Sequence, residues 1–324
     1  MRAAFRACAV ALWITTSIAT AHAEPLRISY FTWVGYGPLF VAKEKGLFAQ
    51  EGVEVELINI GDHTAAFSGL FAGQIDAIAA GTQDVLTFAA PDEDRLVCVL
   101  PLDESRGGDG ILATNDIRTV ADLEGRSVAV PRGSLQQFYL AILLKEVGLS
   151  EADVEVVDLP AEDAGEAFMM RELDAAVTFE PWLTPGRSVA HGHLLTDTSQ
   201  QPGLITDCLE TTAGVLDARR EDFKAVGRAW VAAVEYFKTH PDEAVAIMAR
   251  TLGGGSEDPA AFAEALKGVG IYDEAGIRAY LGTPDQPGPI YQTMQHAIDV
   301  WSELGVLKVK LTPADVIAHG ILDE

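Results

Sequence analysis

The stretch LRISYFTWVGYGPLFVAKEKGLFAQEGVEVELINI, residues 26–60, decides the fold class. It opens with a short β-type run, Leu26–Tyr30. Residues 38–48 then set Leu39, Phe40, Ala42 and Phe48 at helical spacing, with Gly46 weakening the end of the helix. Residues 53–60 alternate Val53, Val55 and Leu57 with Glu54 and Glu56, the period of a half-buried strand. Strand, helix and strand in one short stretch predict an α/β fold with largely parallel pairing.

The rhythm continues outward. Residues 64–72 read as a helix capped near Asp62, residues 75–80 as a buried strand, 84–89 as a helix start and 96–102 as another strand. A second set follows, with strands at 110–113, 127–130, 154–159 and 175–179. Between them stand a helical turn at 120–123, a strongly amphipathic helix at 135–147 and a helix at 164–172. Residues 212–216 read as a strand. The remainder is mostly helical, at 223–239, 243–252, 259–269 and 291–304, with a glycine loop at 253–255. Polar stretches at 103–109 and 199–207 enclose the second set. This predicts a first lobe of residues 24–105 and 208–324, a second lobe of 106–207, and a hinge of two crossover segments beside a cleft.

The N-terminus has the three parts of a secretory leader: Arg2 and Arg6 without an acid, an apolar run to about residue 19, and Ala21-His22-Ala23. Cleavage after Ala23 is expected, with residues 1–23 as signal peptide. The apolar run is shorter than the roughly 20 residues of a spanning helix, and Cys8 precedes it, where a lipoprotein cysteine would not be. Cleavage would leave 301 of the 324 residues, enough for two medium domains. The whole chain carries 48 acids against 23 bases. A field of that sign makes nucleic acid and anionic membrane surfaces poor partners. Cys98 and Cys208 are the cysteines of the exported part. An oxidising compartment permits a disulfide between them, and two buried thiols are the alternative. Their spacing does not suit a zinc or thioredoxin-like site.

Ligands of open α/β sheets sit beyond the carboxyl ends of strands, which directs attention to residues 32–37, 61–64, 81–84, 131–137 and 179–182. Four segments along the chain resemble binding proteins for nitrate, sulfonate, taurine and thiamin-pyrimidine uptake. They are GPLFVAKEKGLF (37–48), AGQIDA (72–77), ADLEGRSVAVP (121–131) and LDAAV followed by EPW (173–177 and 180–182). They occur in family order over residues 26–222, and the helical C-terminal third is similar only in outline. The resemblance implies a two-lobe periplasmic-binding-protein fold of type II, a periplasmic location, a monomer, and delivery of a small solute to the membrane permease of an ATP-driven importer. It implies neither cofactor nor metal.

Each candidate ligand-binding residue has a structural alternative. Trp33 and Tyr36 stand among glycines that permit close approach, or belong to the core. Asp62, His63 and Thr64, like Thr82, Gln83 and Asp84, precede a helix, where they either meet a ligand or cap the helix. Ser134 and Gln136 open the long second-lobe helix with the same two readings. Glu180, beside Phe179 and Trp182, suits an ammonium or amidine group, or else a salt bridge. Asp207 is a ligand or a hinge residue.

Catalytic signatures are thin: no G-x-S-x-G, H-E-x-x-H or P-loop occurs. His191 and His193 flank Gly192 without further ligands and read as a loop. The cysteine cluster of pyrimidine synthases on the resembled fold is missing. A non-catalytic solute receptor is therefore expected, with an enzyme on the same fold (a pyrimidine synthase or a menaquinone-route dehydratase) and an extracellular sensor component as alternatives. The favoured solute is a taurine-like zwitterion, its ammonium on Glu180 and its anion on helix N-termini. Aminopyrimidines and urea- or guanidine-like compounds are the alternative.

Overall fold

The computed structural model describes residues 24–88, 94–252 and 258–323. The expected leader at 1–23 with its Cys8, the end of the 84–89 helix and the glycine loop at 253–255 lie outside these residues.

The opening stretch folds with its expected rhythm. Strand β1 (Leu26–Tyr30) leads through helix α1 (Gly37–Glu44) and the single turn α2 (Leu47–Gln50) to β2 (Val55–Asn59). The break between α1 and α2 falls at Gly46, whose φ of 67° is left-handed and suits glycine. Helix α3 (His63–Phe71) returns the chain to β3 (Ala77–Gly81), so β1 lies between β2 and β3, parallel to both. The short α4 (Asp84–Thr87) follows, then the long β4 (Leu96–Ser105).

The chain crosses at residues 106–108 into a second sheet. Its parts are β5 (Asp109–Thr114), β6 (Ser127–Ala129), α5 (Leu135–Glu146), β7 (Glu155–Val157), α6 (Ala161–Met169), β8 (Ala175–Phe179), α7 (Leu183–Gly186) and β9 (Gly192–Asp197). The order is β7-β6-β8-β5-β9. A second crossing at 198–205 returns to β10 (Thr206–Thr212) in the first sheet. The two crossings are tied together: Ser105 Oγ and Thr198 Oγ1 lie 2.7 Å apart, and Thr198 Oγ1 accepts from Gly107 N at 2.8 Å.

Helices α8 (Ala213–Thr239), α9 (Pro241–Leu252) and α10 (Pro259–Ala265) follow. Strand β11 (Val269–Ile271), α11 (Glu274–Leu281), α12 (Ile290–Glu303) and α13 (Pro313–Val316) complete the described chain. The first sheet has the order β11-β4-β10-β3-β1-β2. Cys98 and Cys208 are both free thiols, buried in neighbouring strands β4 and β10.

Several expectations need correction. Pairing is mixed rather than largely parallel: among the described residues four strand pairs are parallel and five antiparallel. Every antiparallel pair involves β4, β5 or β10, the strands that flank the crossings. Residues 213–216 are helical rather than extended. Thr212 closes β10 and caps α8, accepting from Val215 N at 3.2 Å. A short apolar run has no period of its own to separate the two readings. The 135–147 segment is helical but not amphipathic, because α5 is buried from Leu135 to Leu144 except at Ala141, with the second sheet on one side and α12 on another. His193 lies in strand β9, not in a loop.

One motif residue proves to be a structural tie. Asp76 accepts from Arg27 N at 2.8 Å, Nε at 2.9 Å and Nη2 at 2.8 Å, joining the approach to β3 to β1. Replacing Asp76 with Ala leaves a part-buried guanidinium without its carboxylate, held only by Gln74 O. It is expected to cost about 2–3 kcal/mol, seen as a drop in Tm of roughly 5 °C or more.

Candidate functional site

Both sheets turn the carboxyl ends of their parallel strands toward one space. β1 ends at Phe31 and Trp33, β2 at Gly61 and Asp62, and β3 at Gly81 and Asp84. From the other sheet, β6 ends at Pro131 and Arg132, β7 at Asp158 and Pro160, and β8 at Phe179. These residues line a cavity of about 390 Å3 between the sheets. In each sheet a central strand has a parallel neighbour on both sides, β1 between β2 and β3, β6 between β7 and β8. Such switch points are where α/β sheets leave room for ligands.

Of the candidates, Trp33, Tyr36, Asp62, His63, Thr64, Asp84, Ser134, Gln136, Phe179 and Asp207 line this cavity. Four do not. Thr82 Oγ1 accepts from Thr206 Oγ1 at 3.0 Å in the first sheet, and Gln83 Nε2 donates to Leu204 O of the second crossing at 2.7 Å, so both point away from the cavity lining. Trp182 packs edge-on against Phe179, ring centres 5.5 Å apart, from outside the lining. Glu180 turns away from the cavity. It accepts from Thr184 N at 3.0 Å, Thr184 Oγ1 at 2.6 Å and Arg187 Nη2 at 2.9 Å. Its charge is matched within the second lobe, and the expected ammonium partner is therefore not Glu180.

The helix ends are also occupied. Asp62 caps α3, accepting from Ala65 N at 2.6 Å. Ser134 caps α5, accepting from Gln137 N at 3.3 Å and donating to Pro131 O at 2.7 Å. Asp62 and Ser134 are thus caps that also border the cavity, whereas Gln83 at the start of α4 makes no side-chain cap bond and His63, Thr64, Asp84 and Gln136 lie inside their helices.

The cavity floor is a row of buried carboxyls. In the first sheet Asp207 pairs in register with Gly81 on one side and Asp103 on the other. Tyr36 Oη donates to Asp207 Oδ1 at 2.7 Å, Trp33 Nε1 to Asp103 Oδ1 at 3.0 Å, and Gln136 Nε2 to Asp109 Oδ1 at 3.4 Å. Burial pushes Asp109 up to about 6 and Asp207 up to about 7. Burial together with the charge of Asp207 raises Asp84 and Asp103 well above the usual carboxylate range. His63 lies between Phe31 and Phe67, stacked on Phe31 at 4.2 Å, and burial lowers its imidazole to about 4. It is neutral at neutral pH and offers no positive charge.

Trp33 links this floor to the hinge. A Cβ on Gly35 would stand 2.3 Å from Asp103 Oδ2 and 2.4 Å from Trp33 Nε1, and one on Gly108, in the first crossing, 2.6 Å from the indole. Gly35→Ala is expected to break the Trp33–Asp103 bond and cost about 1–3 kcal/mol. A lower Tm and altered tryptophan fluorescence would register it, and an unchanged spectrum would count against the contact.

The comparisons agree with this geometry. A family profile described as NMT1/THI5 like matches residues 33–244, about two-thirds of the chain. The chain belongs to the NMT1/THI5-like family. Relatives include a protein of Brucella abortus (strain 2308) named only as a binding protein, 25% identical over 97% of this chain and 96% of its own. An aliphatic sulfonates-binding protein of Bacillus subtilis (strain 168) is 33% identical, but over 45% of this chain and 46% of its own. Among solved structures, the alkanesulfonate-binding protein SsuA of Xanthomonas axonopodis pv. citri, bound to MOPS, superposes with a TM-score of 0.73 at 20% identity, covering 91% of this chain and 99% of that one. The fold is thus that of the periplasmic binding proteins. This NMT1/THI5-like chain lines its cavity with residues the sequence reading did not single out as ligands: Phe31, Asp109, Arg132, Asp158 and Glu162. Asp158 and Glu162 follow strand β7, and the rule that picked the other loops, applied to that one, would have found them.

Proposed function

We propose that the chain is the solute-binding component of an importer, exported to the periplasm, which captures a small polar solute between its two lobes and presents it to a membrane permease. The observation that carries this reading is the cavity itself. It is enclosed by both sheets, spanned by two tied crossings and floored by polar groups that the protein leaves unmatched. A volume of about 390 Å3 suits a small molecule. Capture requires only that the solute favour the closed arrangement of the lobes. The two cysteines, the described residues best suited to nucleophilic attack, are wholly buried outside the cavity lining. Relatives named as binding proteins support the same reading.

Native mass spectrometry of the protein after incubation with a metabolite extract tests it. The expected result is one added small mass, released by denaturation as a compound already present in the extract. Recovery of a compound absent from the extract would show turnover, and persistent absence of any bound mass would remove the receptor reading.

A further inference from the structure

The unmatched carboxyls of the floor specify the ligand further, given the receptor reading above. Both carboxylate oxygens of Asp84 are buried without a hydrogen-bond partner, on a residue only 1% exposed that lines the cavity. Behind the lining, Asp103 Oδ2 is likewise unpartnered. Buried polar atoms are nearly always paired, and an orphan at a cavity wall marks a missing partner.

No side chain supplies that partner, and the backbone of Gly81 only partly offsets the burial of Asp84. His63 Nε2 stands 3.8 Å from Asp84 Oδ2, beyond hydrogen-bond distance, and its ring is uncharged at neutral pH. Arginines outside the lining are engaged elsewhere: Arg27 with Asp76, Arg106 with Glu104 and Arg187 with Glu180. Around the cavity stand Asp62, Asp84, Asp109, Asp158, Glu162 and Asp207, against the guanidinium of Arg132. A protonated Asp84 would still lack a partner, so protonation alone does not complete the site.

We infer that the solute is an organic cation whose protonated nitrogen group, an ammonium, amidinium or guanidinium, is held by Asp84 with Asp207 beside it. The walls favour an organic cation over a bare metal ion. Phe31, Trp33, Tyr36 and Phe179 line the same cavity, and aromatic rings suit a cation attached to an apolar body. The space also exceeds what an ion requires. This assignment departs from the anions that relatives are named for.

Isothermal titration of the purified protein provides the test. The probes are butane-1,4-diamine, guanidinium and benzamidinium as nitrogen cations, ethanesulfonate and nitrate as anions, and magnesium and calcium as metal ions. At least one nitrogen cation is expected to bind. Its affinity should drop about 10- to 150-fold in Asp84→Asn, the range of a lost charged hydrogen bond. Asp207→Asn, which keeps an acceptor for Tyr36, should weaken the same probe. Asp84→Asn preserves shape and removes an unmatched acid, so its Tm should equal or exceed that of the parent. A nitrogen cation that binds parent and Asp84→Asn alike would overturn the assignment. So would binding of ethanesulfonate, nitrate or a metal ion in place of the nitrogen cations, which would leave the receptor reading standing. Failure of every probe, with a solute nevertheless captured from extract and shown to lack a basic nitrogen, would overturn the cation alone. Failure in both experiments would remove the receptor as well.

Discussion

The ligand-free protein is expected to be most stable near pH 5 and to lose stability progressively between pH 5 and pH 8. The cause is the carboxyl floor. Asp109 and Asp207 titrate at about 6 and about 7 when folded, and Asp84 and Asp103 are raised well above the ordinary carboxylate range, because burial disfavours their charged forms. In the unfolded chain all four return to the ordinary range near 4. Between these limits the native state binds more protons than the unfolded one, so stability falls as pH rises through the window.

The groups facing the floor do not reverse the sign. They are Tyr36 before α1, His63 on α3, Glu104 at the end of β4, Glu180 after β8 and Glu210 on β10. None brings a positive charge at neutral pH, although His63, which takes up a proton below about 6.5 when unfolded but only below about 4 when folded, offsets part of the slope. At the acid end a different set takes over. Burial pushes Asp76 up but its bonds from Arg27 outweigh this, while Thr114 and Arg126 hold Asp116 down. Their contributions fade as pH drops through the lowered values, which sets the optimum near 5. Thermal melts across pH 4–9 at fixed ionic strength measure the profile. A Tm that stays level or rises from pH 5 to pH 8 would mean that the floor is charged in the folded protein. Asp207→Asn should flatten the slope, and a bound cation should do the same.

Trp301→Ala is the second large effect, expected to cost about 3–5 kcal/mol, or roughly 10 °C in Tm. Trp301 is fully buried on α12, and its Nε1 has no partner, so packing alone holds it. Its ring centre lies 5.9 Å from that of Phe138 on α5. α12 also touches α4, which begins at Asp84, while α5 begins beside Ser134. One helix therefore backs a cavity wall from each lobe. Trp301→Ala should also weaken solute binding, since both walls lose their common support. Glu303→Ala, which removes the exposed pair with Lys145 across the same interface, should cost less than about 1 kcal/mol. Equal melting points for the two variants would refute the packing argument.

The sequence made the alternating order of the lobes legible because residues 26–60 and 175–179 carry clear periods and boundaries. It did not reveal β9, whose GHLLTD has no alternation, nor the short β11, which is paired only through β4. Antiparallel pairing was hidden because strand direction depends on the crossings rather than on any local pattern. At the site, loop position at strand ends found Asp84 and brought Ser134 and Asp62 to the cavity rim, while Asp207 stood out only by its place beside the second crossing. Glu180 looked like a ligand because it sits beside aromatic residues, but only the fold places Arg187 against it. Asp103 and Asp109 lay inside a stretch read as a linker, where a charged residue is ordinarily solvated.

The strand order of the first sheet has a consequence for how the chain becomes a protein. All five strands of the second sheet come from one unbroken stretch, 109–197, whereas the first sheet waits for β10, which lies beyond that whole stretch, and then for β11. Ala318 N donates to Cys98 O at 2.9 Å, so residues close to the C-terminus still help close it. A chain emerging N-terminus first can complete its second sheet while β3 and β4 remain open-edged and apolar. Such edges recruit other strands until their own arrive. The half of the molecule synthesised first is thus the half finished last, and its hazard in production is premature self-association rather than slow folding of the centre.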